Sequence, residues 1–512
     1  MPSFQKSFSA KVLRVNKCRV IRLFWLFYWF VGILSWQVQA QPQKDWAHQM
    51  AKFVGSHRTD GALWGIEIAN LNSGQLLFAT NEHVLLKIAS NQKLFSAAWV
   101  LAELGPKTLL PTSVHTHGLI NSQGVLEGDL VISGVGDPTW GTERVFASGA
   151  HQWESLIALI KSARIQKIDG RLVADVSRIT GSRWGTNRLT SDLIHPFAAE
   201  VSALNDHENY TVGRIQPSSV GLKADLSFVP SIDPHRFNNK VITVNGSQPL
   251  KPIYFWKTPS NDTIQLAGDI RTNGVPQRFE LAVSDPPRWF LERFRKKLNE
   301  SGVEVTGTNL VRETMERLPK ANPLGVITSP PLHEIVSVMV KDSQNLYAET
   351  LFRLTGEKMR NRLPITFTSE QSAVLRMTDW LVARGIPRDE LQVQDGSGLS
   401  TGSLSTAHGL VTLLRWSREW EHYEVFRSSL PVAGIDGTLK KRFIGSRSKG
   451  KLWAKTGTLT GVAALSGFME SESGELLVFS ILLNNYKPAQ GKNAREVLDD
   501  LIELMAEWQP SK

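Results

Sequence analysis

The chain has 512 residues and one cysteine, Cys18. A lone thiol excludes an internal disulfide, a Cys-x-x-Cys redox pair and a cysteine-ligated zinc site. Long apolar runs are equally scarce. Only residues 23–36 form one, which excludes a multi-span membrane protein. Charged residues make up 21% and hydrophobic residues 41%, a globular balance unlike that of disordered, collagen-like or coiled-coil chains. Neither internal repeats nor low-complexity tracts are present. At about 150 residues per domain, the length predicts roughly three domains.

The apolar run has a revealing context. Lys6, Lys11, Arg14, Lys17, Arg19 and Arg22 precede it, and Val38-Gln39-Ala40 follows it with small residues. That order is the pattern of a secretory signal over residues 1–40, cut after Ala40. A bilayer span needs about twenty apolar residues, so retention as an anchor, with membrane contact, is the weaker alternative. Cleavage removes six basic residues and no acidic one, and the formal charge falls from +10 to +4 over 472 residues. A nucleic-acid partner is therefore not expected. The expected location is periplasmic or otherwise exported. Cys18 would leave with the signal.

Residues 63–69 and 75–79 read as two strands joined by the turn-rich Asn70-Leu71-Asn72-Ser73-Gly74. Residues 90–104 read as a helix, apolar almost all round, that stops at Gly105-Pro106. A helix without a polar face belongs in the middle of a domain. From residue 111 to 321 short alternating segments dominate, with helices only near 152–163 and 287–298. From Pro323 the pattern turns helical: Leu332, Ile335, Val336 and Met339 share a face, and Thr368-x-x-Gln371 has the form of a capping box. Residues 453–469 and 475–484 read as two long strands, and 494–508 as a closing helix.

The expected fold is α+β. Segments 41–110 and 322–512 build one domain, an antiparallel sheet flanked by helices, and residues 111–321 interrupt it as one or two small β-rich domains.

Three short motifs carry chemistry. In Ser90-Asn91-Gln92-Lys93 a spacing of three places the hydroxyl and the amine one turn apart on one helical face. A desolvated lysine can accept a serine proton, and backbone N–H groups at a helix start can stabilise an oxyanion. Alone, the motif also fits a capping serine with a surface lysine. Ser343-Gln344-Asn345 lies between two helical patterns, where hydroxyl and amide can both face a cleft; an ordinary turn favours the same residues. Lys455-Thr456-Gly457-Thr458 offers a cation, two hydroxyls and a bare backbone along which a substrate can run, or else a polar edge strand.

Taken in order, S-x-x-K, S-x-N and K-T-G resemble the motif set of penicillin-binding proteins and serine β-lactamases. The spacing of 253 from Ser90 to Ser343 resembles the carboxypeptidase 4 type, peptidase family S13, with its long insertion after the S-x-x-K helix. Gly134–Pro138 (G-V-G-D-P), residues 345–350 (N-L-Y-A-E-T), 395–400 (D-G-S-G-L-S) and 455–461 (K-T-G-T-L-T-G) agree. The resemblance implies a serine-type D-Ala-D-Ala carboxypeptidase, with endopeptidase action as a second activity that the sequence does not separate from the first, acting on peptidoglycan stem peptides and acylated by β-lactam antibiotics. It implies Ser90 as nucleophile, Lys93 as general base, Ser343 as proton relay and Asn345 as holder of the substrate amide. Lys455 would depress the Lys93 pKa and, with Thr456, Gly457 and Thr458, bind the terminal carboxylate. The N–H groups of Ser90 and Thr458 would form the oxyanion hole.

Three departures stand out: Gln344 where the family usually has Asp, Ile88 where Pro is common, and Thr401 where relatives often carry a basic residue. The third bears on the side chain of the stem peptide. No cofactor or metal is expected. The segment from Glu200 to Asn205 resembles a deacylation motif of β-lactamases with one residue too many, and is expected to be structural. His115-x-His117 is expected to be a strand pair, and Gly134-Val135-Gly136 a turn. Seven Lys/Arg against one acid in residues 436–455 read either as a solvated loop or as a basic rim that steers carboxylate-rich peptides. The rival functions are a β-lactamase and a catalytically weak cell-wall binding protein. Oligomeric state has no signature in the sequence.

Overall fold

The computed structural model describes residues 41–510, apart from 58–60, 147, 234–235, 248, 258–262, 315–320, 362, 365 and 489–490. The secretory signal read over residues 1–40 lies outside the described residues. Among the described residues no helix is long and apolar enough to cross a membrane.

Strands β1 (Leu63–Asn70), β2 (Leu76–Thr80), β3 (Leu452–Leu459), β4 (Val462–Glu470) and β5 (Leu476–Asn484) form one antiparallel sheet in the order β3-β4-β5-β1-β2. Side-chain alternation divides the strands between two cores. Trp64, Ile66 and Ile68 of β1 face one side with Leu477, Phe479, Ile481 and Leu483 of β5; Val478, Leu482, Ala464 and Phe468 face the other. A sheet apolar on both faces must be covered on both.

The helices that cover it are α1 (Gln41–Ser56), α2 (Gln92–Leu104), α3 (Leu332–Lys341), α4 (Asn345–Lys358), α5 (Ser369–Val382), α6 (Ala407–Ser417) and α7 (Ala494–Ala506). Helices α1 and α7 pack on the first face, where Trp46 Nε1 donates to the Leu504 carbonyl at 3.0 Å. The other five pack on the second face. Every residue from Gln92 to Leu101 of α2 is buried, as a helix without a polar face requires. Each fully buried Leu, Phe or Trp there contributes roughly 1.5–3 kcal/mol over exposure. The Thr368/Gln371 capping box starts α5, with both reciprocal hydrogen bonds formed.

Two readings change. Residues 453–469 are a hairpin, β3 and β4, turning at Thr460-Gly461, where Gly461 takes a φ of +70° that L side chains resist. The strand Asn322–Thr328 pairs with Pro111–Ile120, so the last strand of the interrupting sheet lies beyond residue 321. A register shift between Pro323 and Gly325 lets the strand accommodate its proline.

The interrupting segment contains a mixed sheet. Pro111–Ile120 and Val125–Ser133 pair antiparallel, Val125–Ser133 and Leu172–Asp175 pair parallel, and the helices His151–Ser162 and Pro286–Glu300 share its core. Two three-stranded sheets built from residues 210–282 share a separate small core. What matters for the site is the edge of this segment near residues 182–200, which packs against α4 and the loop after Leu391.

Candidate active site

Ser90 sits in a single 3₁₀ turn, Ala89–Asn91, that runs directly into α2. The turn is forced. Ala89 has φ +48°, and the Gly398 position lies so close that an added Cβ would stand 1.8 Å from the Ala89 carbonyl oxygen. A bare Gly398 with φ +78° is therefore a condition for the turn that presents Ser90. Gly457 has a related duty. A Cβ there would meet the Ile88 carbonyl at 2.7 Å and the Ala89 methyl at 3.1 Å. The sequence suggested clearance for a substrate; the structure shows clearance for the Ala89–Asn91 turn against β3.

Lys93, one turn along α2, is completely buried. Its Nζ donates to Ser90 Oγ at 3.0 Å, Asn345 Oδ1 at 2.6 Å and the Ser397 carbonyl at 2.8 Å. Burial pushes its pKa down to about 7; Asp395 and Glu349 pull it up, and Arg188 adds a further downward push. At neutral pH a large share of this amine is unprotonated and can take the Ser90 proton.

Ser343 and Asn345 flank the start of α4, Ser343 in the short loop after α3 with φ +61°. Lys455 on β3 is also fully buried, and its Nζ donates to Ser343 Oγ at 2.9 Å and to the Thr456 carbonyl at 2.8 Å. Burial, then repulsion by Lys93, lowers its pKa well below the usual lysine value. Repulsion between the two buried amines is mutual, so it adds to burial and Arg188 in favouring a neutral Lys93. The structure brings these residues together in two sets of contacts, Ser90–Lys93–Asn345 and Ser343–Lys455, whose two amines lie near enough to repel each other. Thr456 lies beside Lys455, donating to the Thr438 hydroxyl at 2.9 Å, and Thr458 is exposed farther along β3. Gln344 precedes α4 and makes no side-chain hydrogen bond within the described residues.

β3 is the edge of its sheet. Its first half is covered: Ala433 N–H donates to the Leu452 carbonyl and Ala454 N–H to the Pro431 carbonyl, both at 3.0 Å. From Lys455 onward the outer edge has no backbone partner among the described residues. An extended peptide can pair there, beside Ser90.

Several contributors had no motif to announce them. Asn345 Nδ2 donates to the Phe197 carbonyl at 2.7 Å, so the interrupting segment helps to orient the amide. Arg188, from the same segment, is nearly buried and contacts Glu349 Oε1 at 2.9 Å and Asp395 Oδ2 at 3.9 Å. Asp395 accepts from Ser397 Oγ, Ser403 Oγ and the N–H groups of Gly398 and Ser400. Burial would raise its pKa, but Arg188 and these hydrogen bonds outweigh burial and hold it down. This is the physical content of D-G-S-G-L-S: the carboxylate shapes the loop whose Ser397 carbonyl meets Lys93.

Glu200 is buried, accepts from the Asp285 N–H at 3.2 Å and lies 3.6 Å from Arg183, a tie within the interrupting segment. Among the described residues Thr401 hydrogen-bonds only to the Asn187 carbonyl, at 3.3 Å from its N–H and 3.4 Å from its hydroxyl. Of the basic stretch, Arg442 pairs with Asp499, Arg447 with Glu472 and Glu507, and Lys451 with Glu470. Four members have no ion pair among the described residues, the buried Lys455 of the site and the exposed Lys440, Lys441 and Lys449, which leaves a thinner rim than seven charges suggest.

The fold is that of known structures. The crystal structure of penicillin binding protein 4 from Haemophilus influenzae superposes with a TM-score of 0.76 at 24% identity, covering 89% of this chain and 98% of that one. A sheet flanked by helices, with a buried lysine bonded to a serine at the start of the central helix, defines an active-serine acyl-transfer class. The chain belongs to the D-Ala-D-Ala carboxypeptidase 3 (S13) family, whose model matches residues 47–504, and is an enzyme of that serine-type carboxypeptidase kind. Similar relatives include a D-alanyl-D-alanine carboxypeptidase of Actinomadura sp. (strain R39), 27% identical over 88% of this chain and 82% of its own. A second, from Haemophilus influenzae, is 26% identical over 83% and 86%.

Proposed function

We propose that this enzyme is exported and removes the terminal D-alanine from peptidoglycan stem peptides through an acyl-enzyme on Ser90. The observation that carries the reading is the Lys93 amine, pushed to about pKa 7 and 3.0 Å from Ser90 Oγ. Neutral Lys93 takes the Ser90 proton as Oγ attacks the penultimate D-alanine carbonyl. The tetrahedral oxyanion meets the N–H groups of Ser90 and Thr458, each such donor being worth about 10²–10³ in rate. The C–N bond then breaks. Ser343, bonded to Lys455, relays to the departing amine the proton that Lys93 took from Ser90; water then attacks the ester, giving one proton to Lys93, which returns it to the Ser90 oxygen as the acid leaves. Asn345, held by the Phe197 carbonyl, keeps the substrate amide in place.

Lys455 explains the demand for a free carboxylate. Its buried amine has no acidic partner among the described residues and burial disfavours its charged form, so a substrate carboxylate would supply the countercharge that holds it as an ammonium. Thr456 and Thr458 add hydroxyls. A β-lactam presents a carboxylate and a strained amide in the same way and acylates Ser90 to a stable ester. A D-Ala–diaminopimelate cross-link offers the same acyl donor, and the endopeptidase reaction differs only in the leaving amine. Export rests on the basic, apolar and small-residue order of residues 1–40.

Intact mass after exposure to benzylpenicillin tests the acyl-enzyme. One penicilloyl adduct, absent from a folded Ser90→Ala variant, is expected, together with D-alanine release from a stem pentapeptide. An unmodified wild type that releases no D-alanine refutes the proposal; rapid turnover of the drug without peptide cleavage assigns the chain to β-lactamase chemistry instead.

A further inference from the structure

Away from Ser90, three residues that are distant in sequence converge. His83 lies between β2 and the short strand Leu86–Lys87, Glu390 ends the turn before Leu391–Gln392, and His408 is in the first turn of α6. One donor atom from each lies within 4.8 Å of the others. His83 Nδ1 is 2.8 Å from Glu390 Oε1, and the two imidazole rings are 4.7 Å apart. The other nitrogen of His408 is already assigned: Nδ1 is 2.9 Å from Glu67 Oε2, and Glu67 is buried. That contact fixes the proton on Nδ1 and leaves Nε2 as a donor of electrons; among the described residues its one hydrogen-bond partner is the Thr412 hydroxyl at 3.5 Å. A carboxylate behind a histidine, turning its far nitrogen towards an ion, is the outer-shell arrangement of metal-binding imidazoles.

The charges point the same way. Glu67, Glu82 and Glu390 surround two imidazoles, with Glu82 Oε1 3.9 Å from His83 Nε2. Among the groups that act on His83 the charged ones are all carboxylates. Glu390 is steadied by the Thr406 hydroxyl, and His408 by its N–H bond to the Glu82 carbonyl at 3.0 Å. His83 is exposed, so an ion has a path from solvent and room for water as a further ligand.

We propose that His83, Glu390 and His408 form a binding site for a borderline divalent ion, Zn²⁺ in chemical class. Two imidazoles and one carboxylate favour that class over Mg²⁺ or Ca²⁺, which prefer oxygen donors. Its place in the fold gives it a purpose. Leu86–Lys87 pairs with Leu404–Ser405, which pairs with Leu391–Gln392. The first of these strands leads into Ser90, and the other two bracket the loop that carries Asp395 and Ser397. An ion on His83, Glu390 and His408 fastens the base of both segments that build the active site.

The test is titration of the purified protein with Zn²⁺ at about pH 8, where imidazoles are neutral, and with Co²⁺ for its visible d–d bands. One saturable equivalent of micromolar or tighter affinity is expected, with low-coordinate cobalt bands and a rise in Tm of roughly 5 °C at a hundredfold excess over Kd. His83→Gln, at an exposed position that spares the fold, abolishes the equivalent. Glu67→Gln weakens it about 10–100-fold. No saturable binding, affinity only in the millimolar range, or unchanged titration of both His83→Gln and His408→Gln overturns the proposal and leaves an ordinary ion-pair cluster.

Discussion

Lys93→Met should make the protein more stable while ending its chemistry. Burial holds the Lys93 pKa at about 7 against the ordinary lysine value of 10.5, a difference worth roughly 5 kcal/mol of unfavourable free energy when the native amine is protonated. Methionine fills much the same volume without a charge. Its introduction leaves the buried Ser397 carbonyl without a donor, which costs about 1–3 kcal/mol; Asn345 is only half buried and can turn to water. The net expectation is a variant about 2–4 kcal/mol more stable at around pH 6. The sign of the pH dependence follows from the lowered pKa. Below about pH 7 both native and unfolded lysine hold the proton, and the native state carries the whole penalty. Between about 7 and 10.5 folding releases the proton, so wild-type stability climbs with pH. Near pH 9 the penalty is down to roughly 2 kcal/mol and the advantage of methionine vanishes. Denaturant unfolding of both proteins at about pH 6 and about pH 9 reads this directly. A variant less stable than wild type at the lower pH, or a margin that ignores pH, refutes the account of a destabilised base.

Acylation by a β-lactam should fall about tenfold per unit on the acid side of a midpoint near 7, and a flat profile in stopped-flow would remove Lys93 as base. In Arg188→Gln, Glu349 and Asp395 lose their cation, and the midpoint should move upward; a downward shift contradicts the assigned network. Gly398→Ala drives a methyl into the Ala89 carbonyl at a φ of +78°, so it should lose stability by about 3 kcal/mol or more and acylate slowly, measured by Tm and penicillin labelling. With three unpaired lysines on the rim, replacing Lys440, Lys441 and Lys449 by Ala should lower kcat/KM on stem peptides by less than about tenfold and flatten its salt dependence. A larger loss would show that they touch substrate.

Contiguous chemistry was legible. Ser90 and Lys93 are three residues apart on one helix, Ser343 and Asn345 flank one helix start, and Lys455–Thr458 share one strand, so local periodicity places each pair. Apolarity all round announced α2 as the central helix, and the capping box announced α5. Contacts between distant segments were not legible. Arg188 and the Phe197 carbonyl enter the site from the interrupting segment, and their residue types carry no periodic mark. The β3–β4 turn was hidden because Thr460-Gly461 interrupts an otherwise continuous strand pattern for only two residues. The strand Asn322–Thr328 was hidden by Pro323, a breaker that an irregular register absorbs. The histidines at 83 and 408 are separated by most of the chain, beyond any spacing rule for ligands.

The open half of β3 has a consequence for solubility. Five residues from Lys455 to Leu459 leave a free edge about 17 Å long. Bare strand edges recruit other strands, and aggregating segments need about six or seven residues of continuous pairing. The cover contributed by Pro431 and Ala433 shortens this edge below that length, and Lys455 places a long side chain with a buried amine at its start. The molecule therefore exposes enough backbone to hold a short peptide and too little to seed a fibre.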